Sequence, residues 1–200
     1  MAPGADQAKR QMSNLRSLVM AALALLVCGI ALRAEERPTL SPTRDVDITY
    51  DVARAQQPKT RQRVRWLAAE HRERIDGPDK STTIFDRKAH EITLLNPKRR
   101  TFRTLQGSPR QAPEPGASVA LRRGDESVVA GLQCTEWTWT EDVETHTVCT
   151  TADGVLLRLI VDGRTVMEAR SVSYGPQAAE LFQVPSNYSP ALAPEGNTGL

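Results

Sequence analysis

The chain has 200 residues, 40% of them hydrophobic and 25% charged, a composition that is neither disordered nor membrane-like and is enough for one ordinary domain with chain left over at the ends. Its formal charge is +2; residues 1–34 hold Lys9, Arg10, Arg16 and Arg33 against Asp6, a net +3, so the remainder carries −1. A near-neutral body whose Trp and Tyr residues are not interleaved with Lys and Arg excludes nucleic acid as a partner.

Lys9, Arg10 and Arg16 precede an uncharged apolar run from Leu18 to Leu32, 15 residues long. Basic, then apolar, then small is the order of a secretory signal, and the run is shorter than the ~18–20 residues of a comfortable membrane span. Gly29 and Ala31 supply small residues for cleavage after Ala31; cleavage after Ala34 puts Leu32 in the poorer position. Two alternatives stand beside this: an uncleaved signal-anchor in the inner membrane, and lipidation of Cys28, for which Leu26-Val27 lacks the small residue expected just before it. Residues 1–34 are thus a signal peptide or signal-anchor and 35–43 a polar connector punctuated by Pro38 and Pro42. Residues 44–188 are the domain, and 189–200 a flexible tail.

From Asp45 the chain alternates, with Val46, Ile48, Tyr50 and Val52 on one side and Asp45, Asp47, Thr49 and Asp51 on the other, the pattern of a half-buried strand. Residues 63–68, 72–76, 82–86, 91–95 and 101–105 read as further strands, and the short connections 86–90 and 96–99 make neighbours antiparallel. Gln106 to Gly116 is a Pro-, Gly- and Ser-rich loop dividing the chain; 118–123 fits a brief helix or a strand, and 127–130 is a strand. Residues 155–161 and 165–174 form a hairpin about Asp162-Gly163, with Leu157, Leu159 and Val161 on one side and Leu156, Ile160 and Met167 on the other. Gln177–Phe182, opened by Pro176, is the only helix expected beyond the signal. The fold class is therefore mainly β with a minor helix, a curved antiparallel sheet.

Cys134 and Cys149 remain after the signal, an even number in an oxidising compartment, so a disulfide is expected. They flank two Thr-rich alternating segments. A fold about Glu141-Asp142 sets the sulfurs directly opposite each other and His146 opposite Trp137, on the other face from the cysteines. His71, His90 and His146 form no metal-ligand spacing and read as surface strand residues, so no metal or cofactor is expected. No Gly-x-Ser-x-Gly elbow or phosphate loop is present, and no enzyme activity is expected. The basic run Lys98-Arg99-Arg100 with Arg103 reads as a solvated edge that discourages strand pairing, with contact to anionic lipid as the weaker reading.

Several segments carry a resemblance: Asp-Val-Asp-Ile-Thr-Tyr at 45–50, Val64-Arg65-Trp66 leading to 72–76, 129–137 around Cys134, and the closing 181–188. Together they resemble uncharacterised periplasmic proteins grouped with the lipoprotein carrier LolA and its relatives, over Asp45 to Tyr188. The resemblance implies an incomplete β-barrel whose hollow is covered by helix and loop and, in the carriers, holds acyl chains. This chain departs from them in having little helix for a lid and a hairpin disulfide beside two tryptophans. The expected role is a monomeric periplasmic binding module cupping a lipid or acyl chain. The expected lining is Val46, Ile48, Tyr50, Trp66, Ile92, Leu94 and Phe102. The alternative is a module docking an envelope protein through a sheet edge or apolar face.

Overall fold

The computed structural model describes residues 37–54, 56–107 and 119–191. The apolar run, its cleavage sites, Cys28, most of the dividing loop and residues 192–200 lie outside these. The chain divides into two units, Met1–Arg37 and Pro38–Leu200, and every strand belongs to the second.

Six strands form the first meander: β1 Val46–Val52, β2 Thr60–Leu67, β3 Arg72–Asp76, β4 Thr82–Asp86, β5 Glu91–Asn96 and β6 Thr101–Gln106. Five form the second: β7 Arg122–Val129, β8 Leu132–Glu141, β9 Glu144–Thr150, β10 Leu156–Val161 and β11 Arg164–Tyr174. A two-residue β12, Ser189–Pro190, completes one 12-stranded sheet ordered β12-β6-β5-β4-β3-β2-β1-β11-β10-β9-β8-β7. The sheet is open, with no closure between its end strands β12 and β7, and matches the expected mainly β class and incomplete barrel.

Consecutive strands pair as hairpins, and the turns follow from local chemistry. At Asp162-Gly163 both residues take positive φ, the geometry of the tight turn the sequence announces. Among the described strands the two meanders are paired at one seam, β1 antiparallel with β11, from Val46↔Tyr174 to Val52↔Met167. Pairing across β1 to β6 places Val46, Ile48 and Tyr50, then Val64 and Trp66, Glu73 and Ile75, Phe85, Ile92 and Leu94 on one face. On the opposite face Leu67, Ile84 and Leu95 are buried under the late 3-10 helix with Phe102 and Tyr188 packed beside them. That face also carries ion pairs: Asp47 with Arg63 and Arg65, and Asp76 with Arg65 and Arg74. Arg65 and Arg74 lie directly opposite each other, and the two aspartates offset a like-charge contact that would otherwise destabilise the pairing.

Several expectations are corrected. The helix over 177–182 is a 3-10 turn, Ala179–Phe182. The tail is ordered at its start, where Ser189 and Pro190 pair in parallel with Thr101 and Phe102. A bulge at Leu157 of β10 against β9, and one at Val166 of β11 against β10, break the simple alternation, so Leu159 lies opposite Met167 instead of on the other side. The β8–β9 hairpin turns about Asp142-Val143, with Asp142 at φ 55°, a left-handed position aspartate tolerates. The register is therefore two residues from the expected one: Cys149 opposes Glu136 and His146 opposes Trp139. A two-residue slip preserves the faces, so the disulfide forms on the diagonal, with Cα atoms 5.4 Å apart. His146 is not a surface residue: it is 7% exposed, with its ring 5.4 Å from that of Trp139.

Cys134 and Cys149 are 15 residues apart, a loop whose closure is worth about 3 kcal/mol in the chain-entropy model. The double variant Cys134→Ser/Cys149→Ser is expected to keep the fold and lose about that much in urea unfolding. Reductant should shift the parent's midpoint and leave the variant's unchanged.

Candidate functional site

A cavity of about 300 Å³ opens on the face that carries Tyr50 and Trp66. Ile48, Tyr50 and Val52 of β1 and Val64 and Trp66 of β2 form one side; Leu156 and Leu159 of β10 and Val166 and Met167 of β11 form the other. The β1–β11 register shifts between Thr49 and Tyr50, beside the cavity. The Tyr50 hydroxyl reaches past β11 to donate a 2.6 Å hydrogen bond to the Leu156 carbonyl of β10. Burial pushes the phenol pKa far up and the Glu73 charge adds to this, so the hydroxyl remains a proton donor at every physiological pH.

Gln62 and a charged pair interrupt the apolar wall. Glu73, only 7% exposed, accepts a 2.8 Å bond from Arg87 Nη2, and the Arg87 guanidinium lies 5.4 Å from the Trp66 ring centre. An arginine over an indole gains from the ring quadrupole while the carboxylate neutralises it, which is how a charge persists against an apolar cavity.

The expected connector supplies a further wall. Leu40 and Pro42 line the cavity, and Leu40 also packs on the cluster of Trp137, Trp139, Val148 and Leu159. The strap is held at the Asp153-Gly154 turn, where the Thr43 amide donates to the Asp153 carbonyl at 2.9 Å. Gly154 is at φ 91°, and a Cβ there would come within 2.4 Å of the Ser41 carbonyl oxygen, so only glycine admits the strap. The Asp153 carboxylate accepts bonds from Arg44 at 2.9 Å, Thr151 Oγ1 at 2.6 Å and the Tyr174 hydroxyl at 3.1 Å. Burial alone would raise its pKa, but these donors together outweigh it and hold the group below the usual carboxylate range.

Of the expected lining residues, Ile48, Tyr50 and Trp66 border the cavity. Val46 is fully buried in the adjoining core. Ile92 and Leu94 share the cavity's face but lie on β5, outside it, and Phe102 faces the other way, toward the late 3-10 helix. The sequence reading missed Leu40, Leu159, Met167 and the Glu73–Arg87 pair. Strict alternation puts the neighbours Val166 and Met167 on opposite faces and so gives no sign that both line the cavity once a bulge intervenes, and only the apolar Leu40 between two prolines hinted at the strap. Among the described residues no group of three His, Cys, Asp or Glu is arranged to hold a metal ion.

An open, mainly antiparallel sheet defines the class of fold, and solved structures share that fold. MucB in complex with MucA(peri) matches with a TM-score of 0.52 at 15% identity, over 77% of this chain and 59% of that one. The complex structure of Pseudomonas aeruginosa MucA/MucB matches with a TM-score of 0.53 at 13% identity, over 74% and 58%. PNGF-II matches with a TM-score of 0.50 at 14% identity, over 74% of this chain but 30% of that one. The chain thus spans less than two thirds of the length of each of these. At such identities the likeness is one of fold. No family model and no curated protein matches the chain.

Two outcomes are expected at this site. Glu73→Ala leaves Arg87 against the cavity without its carboxylate and should cost about 3 kcal/mol in denaturant unfolding. The double variant Glu73→Leu/Arg87→Met should cost much less, and equal losses would show that the stranded Arg87 charge is not the source of the single variant's cost. For Asp153, the folded pKa is depressed. Its stabilisation is therefore present above the ordinary carboxylate pKa and is lost as pH falls through the folded value. Asp153→Asn should be less stable than the parent at neutral pH, and the gap should close in acid; thermal melts from pH 7 down to about 3 measure it.

Proposed function

We propose that this chain is an exported, non-enzymatic binding module of the cell envelope, acting in the periplasm, whose cavity receives a lipid or other acyl chain. The observation that carries this reading is the apolar hollow between β1–β2 and β10–β11, walled by aromatic rings, aliphatic side chains and the flexible Met167. Apolar surface buried there yields about 25 cal/mol per Å², so a chain gains affinity methylene by methylene without needing a charged anchor. The strap closes one side through a few polar contacts at one turn, an arrangement that can give way to a longer ligand at modest cost. The N-terminal run, read as a signal or anchor, supports the compartment, and so does the hairpin disulfide.

A second reading, docking of an envelope protein, is favoured by two observations. MucB, which shares the fold, is solved with MucA bound. In this chain β7 is an end strand whose residues from Arg122 to Glu126 are exposed.

Native mass spectrometry of protein from the exported fraction, without detergent, tests both. A retained mass of lipid size on an oxidised monomer is expected, together with displacement of a fluorescent fatty acid. Met167→Trp, which fills the hollow, should weaken that probe at least tenfold while leaving the circular dichroism spectrum intact. Protein that carries no lipid and binds no probe sinks the ligand reading, and a stoichiometric protein partner installs the second.

A further inference from the structure

The face that holds the cavity continues onto the β5–β6 hairpin, and there it is left bare. Ile92 pairs across the hairpin with Leu105, and Leu94 pairs with Arg103, so all four side chains share that face. Leu94 and Leu105 are each 39% exposed, two of the four large hydrophobic residues so exposed. The opposite face of the same hairpin is already occupied, since Leu95 and Phe102 pack with Phe182 and Tyr188. The bare apolar shelf is therefore not half of an unfinished core.

Charge surrounds the shelf on one side. The hairpin turn carries Lys98, Arg99 and Arg100, all exposed, and Arg103 stands beside Leu94 on the shelf itself. Among the described residues no ion pair engages any of these four side chains, whereas the arginines of β2 and β3 are ion-paired. The acid nearest in charge to Lys98 is Asp79, and its carboxylate is held by the Ser81 amide and hydroxyl. The hairpin is also braced: the Ser189 amide donates to the Arg100 carbonyl at 2.9 Å and the Ala191 amide to the Phe102 carbonyl at 2.7 Å. A braced hairpin with four exposed cations, none of them in an ion pair among the described residues, around two exposed leucines is complementary to one kind of surface, an anionic layer with apolar material just beneath it.

We infer that the β5–β6 hairpin docks on the phospholipid headgroup layer of a membrane, with Lys98, Arg99, Arg100 and Arg103 on the phosphodiesters and Leu94 and Leu105 pressed against the acyl boundary. This site is separate from the cavity and stands whether or not the cavity binds lipid. It gives the basic run a role that edge protection alone does not require, because β12 already pairs with the start of β6. Each basic residue near an anionic surface is worth about fivefold in partitioning at low salt, and the attraction fades over about 10 Å at 0.1 M salt.

The test uses the exported protein with Cys28→Ser and Leu105→Cys, the new thiol labelled with an environment-sensitive fluorophore; Cys134 and Cys149 are protected by their disulfide. The label reads the hairpin itself, so the apolar run 18–32 cannot produce the signal merely by tethering the chain. Phosphatidylglycerol vesicles should shift the emission to the blue, phosphatidylcholine vesicles should not, and about 0.5 M salt should abolish the shift. Replacing Arg99, Arg100 and Arg103 together by Gln should weaken the partitioning about a hundredfold. Leu94→Ser, which keeps the charges, should shrink the blue shift several-fold, and Met167→Trp in the cavity should leave it unchanged. No shift on phosphatidylglycerol, or an equal shift on both vesicles, overturns the proposal. A shift with polyglutamate and none with vesicles also overturns it, in favour of an acidic protein surface.

Discussion

The pairing of β1 with β11 is the contact on which the rest of the structure depends. Every other long strand meets a neighbour in sequence through a tight turn, and each meander alone would be a ribbon with one apolar side facing water. Placing β1 between β2 and β11 makes one sheet of the two and brings Tyr50 and Trp66 opposite Leu159 and Met167. The bulge at Thr49/Tyr50 lies in this seam, and the Tyr50 hydroxyl crosses it to β10. The hollow is a product of the seam and not of either half.

The two faces of the first meander divide the work of staying folded. One is apolar and feeds the cavity; the other alternates Asp and Arg across adjacent strands. Individual exposed pairs of this sort contribute little, but the arrangement fixes register, since a slip of one residue would set arginines against the hollow and Trp66 in water. Glu73 is the exception that shows the rule: it sits on the apolar side and is paired there with Arg87, just beyond the end of β4.

The strands were legible because their alternation is clean and their turns carry Gly, Pro, Asp and Asn; β3 and β4 begin and end at the expected residues. Three things were not legible, each for a stated reason. Alternation says that Ile92 and Leu94 share a face, but which residues of β6 continue it depends on the turn between, and a four-residue connection puts Leu105 there and Phe102 behind. Bulges at Leu157 of β10 and Val166 of β11 shift the register around a strand, β10, whose every residue but Arg158 is apolar, so no polar phase marks the slip. Leu40 lies between prolines in a polar stretch and has no periodicity at all; its place in the cavity wall depends on the missing Cβ of Gly154, far away in the chain.

The seam also dictates when the molecule can be finished. Asp51 of β1 meets Arg170 of β11 across 119 residues, and β1 cannot gain its second neighbour until β11 has been made. Closing so long a loop is costly in chain entropy and is repaid only when the whole seam forms, which makes folding slow relative to the hairpins. Until then the six N-terminal strands are a ribbon without its central partner, held together by local turns and easily pulled straight. A domain built this way stays threadable until β11 is made and locks only then.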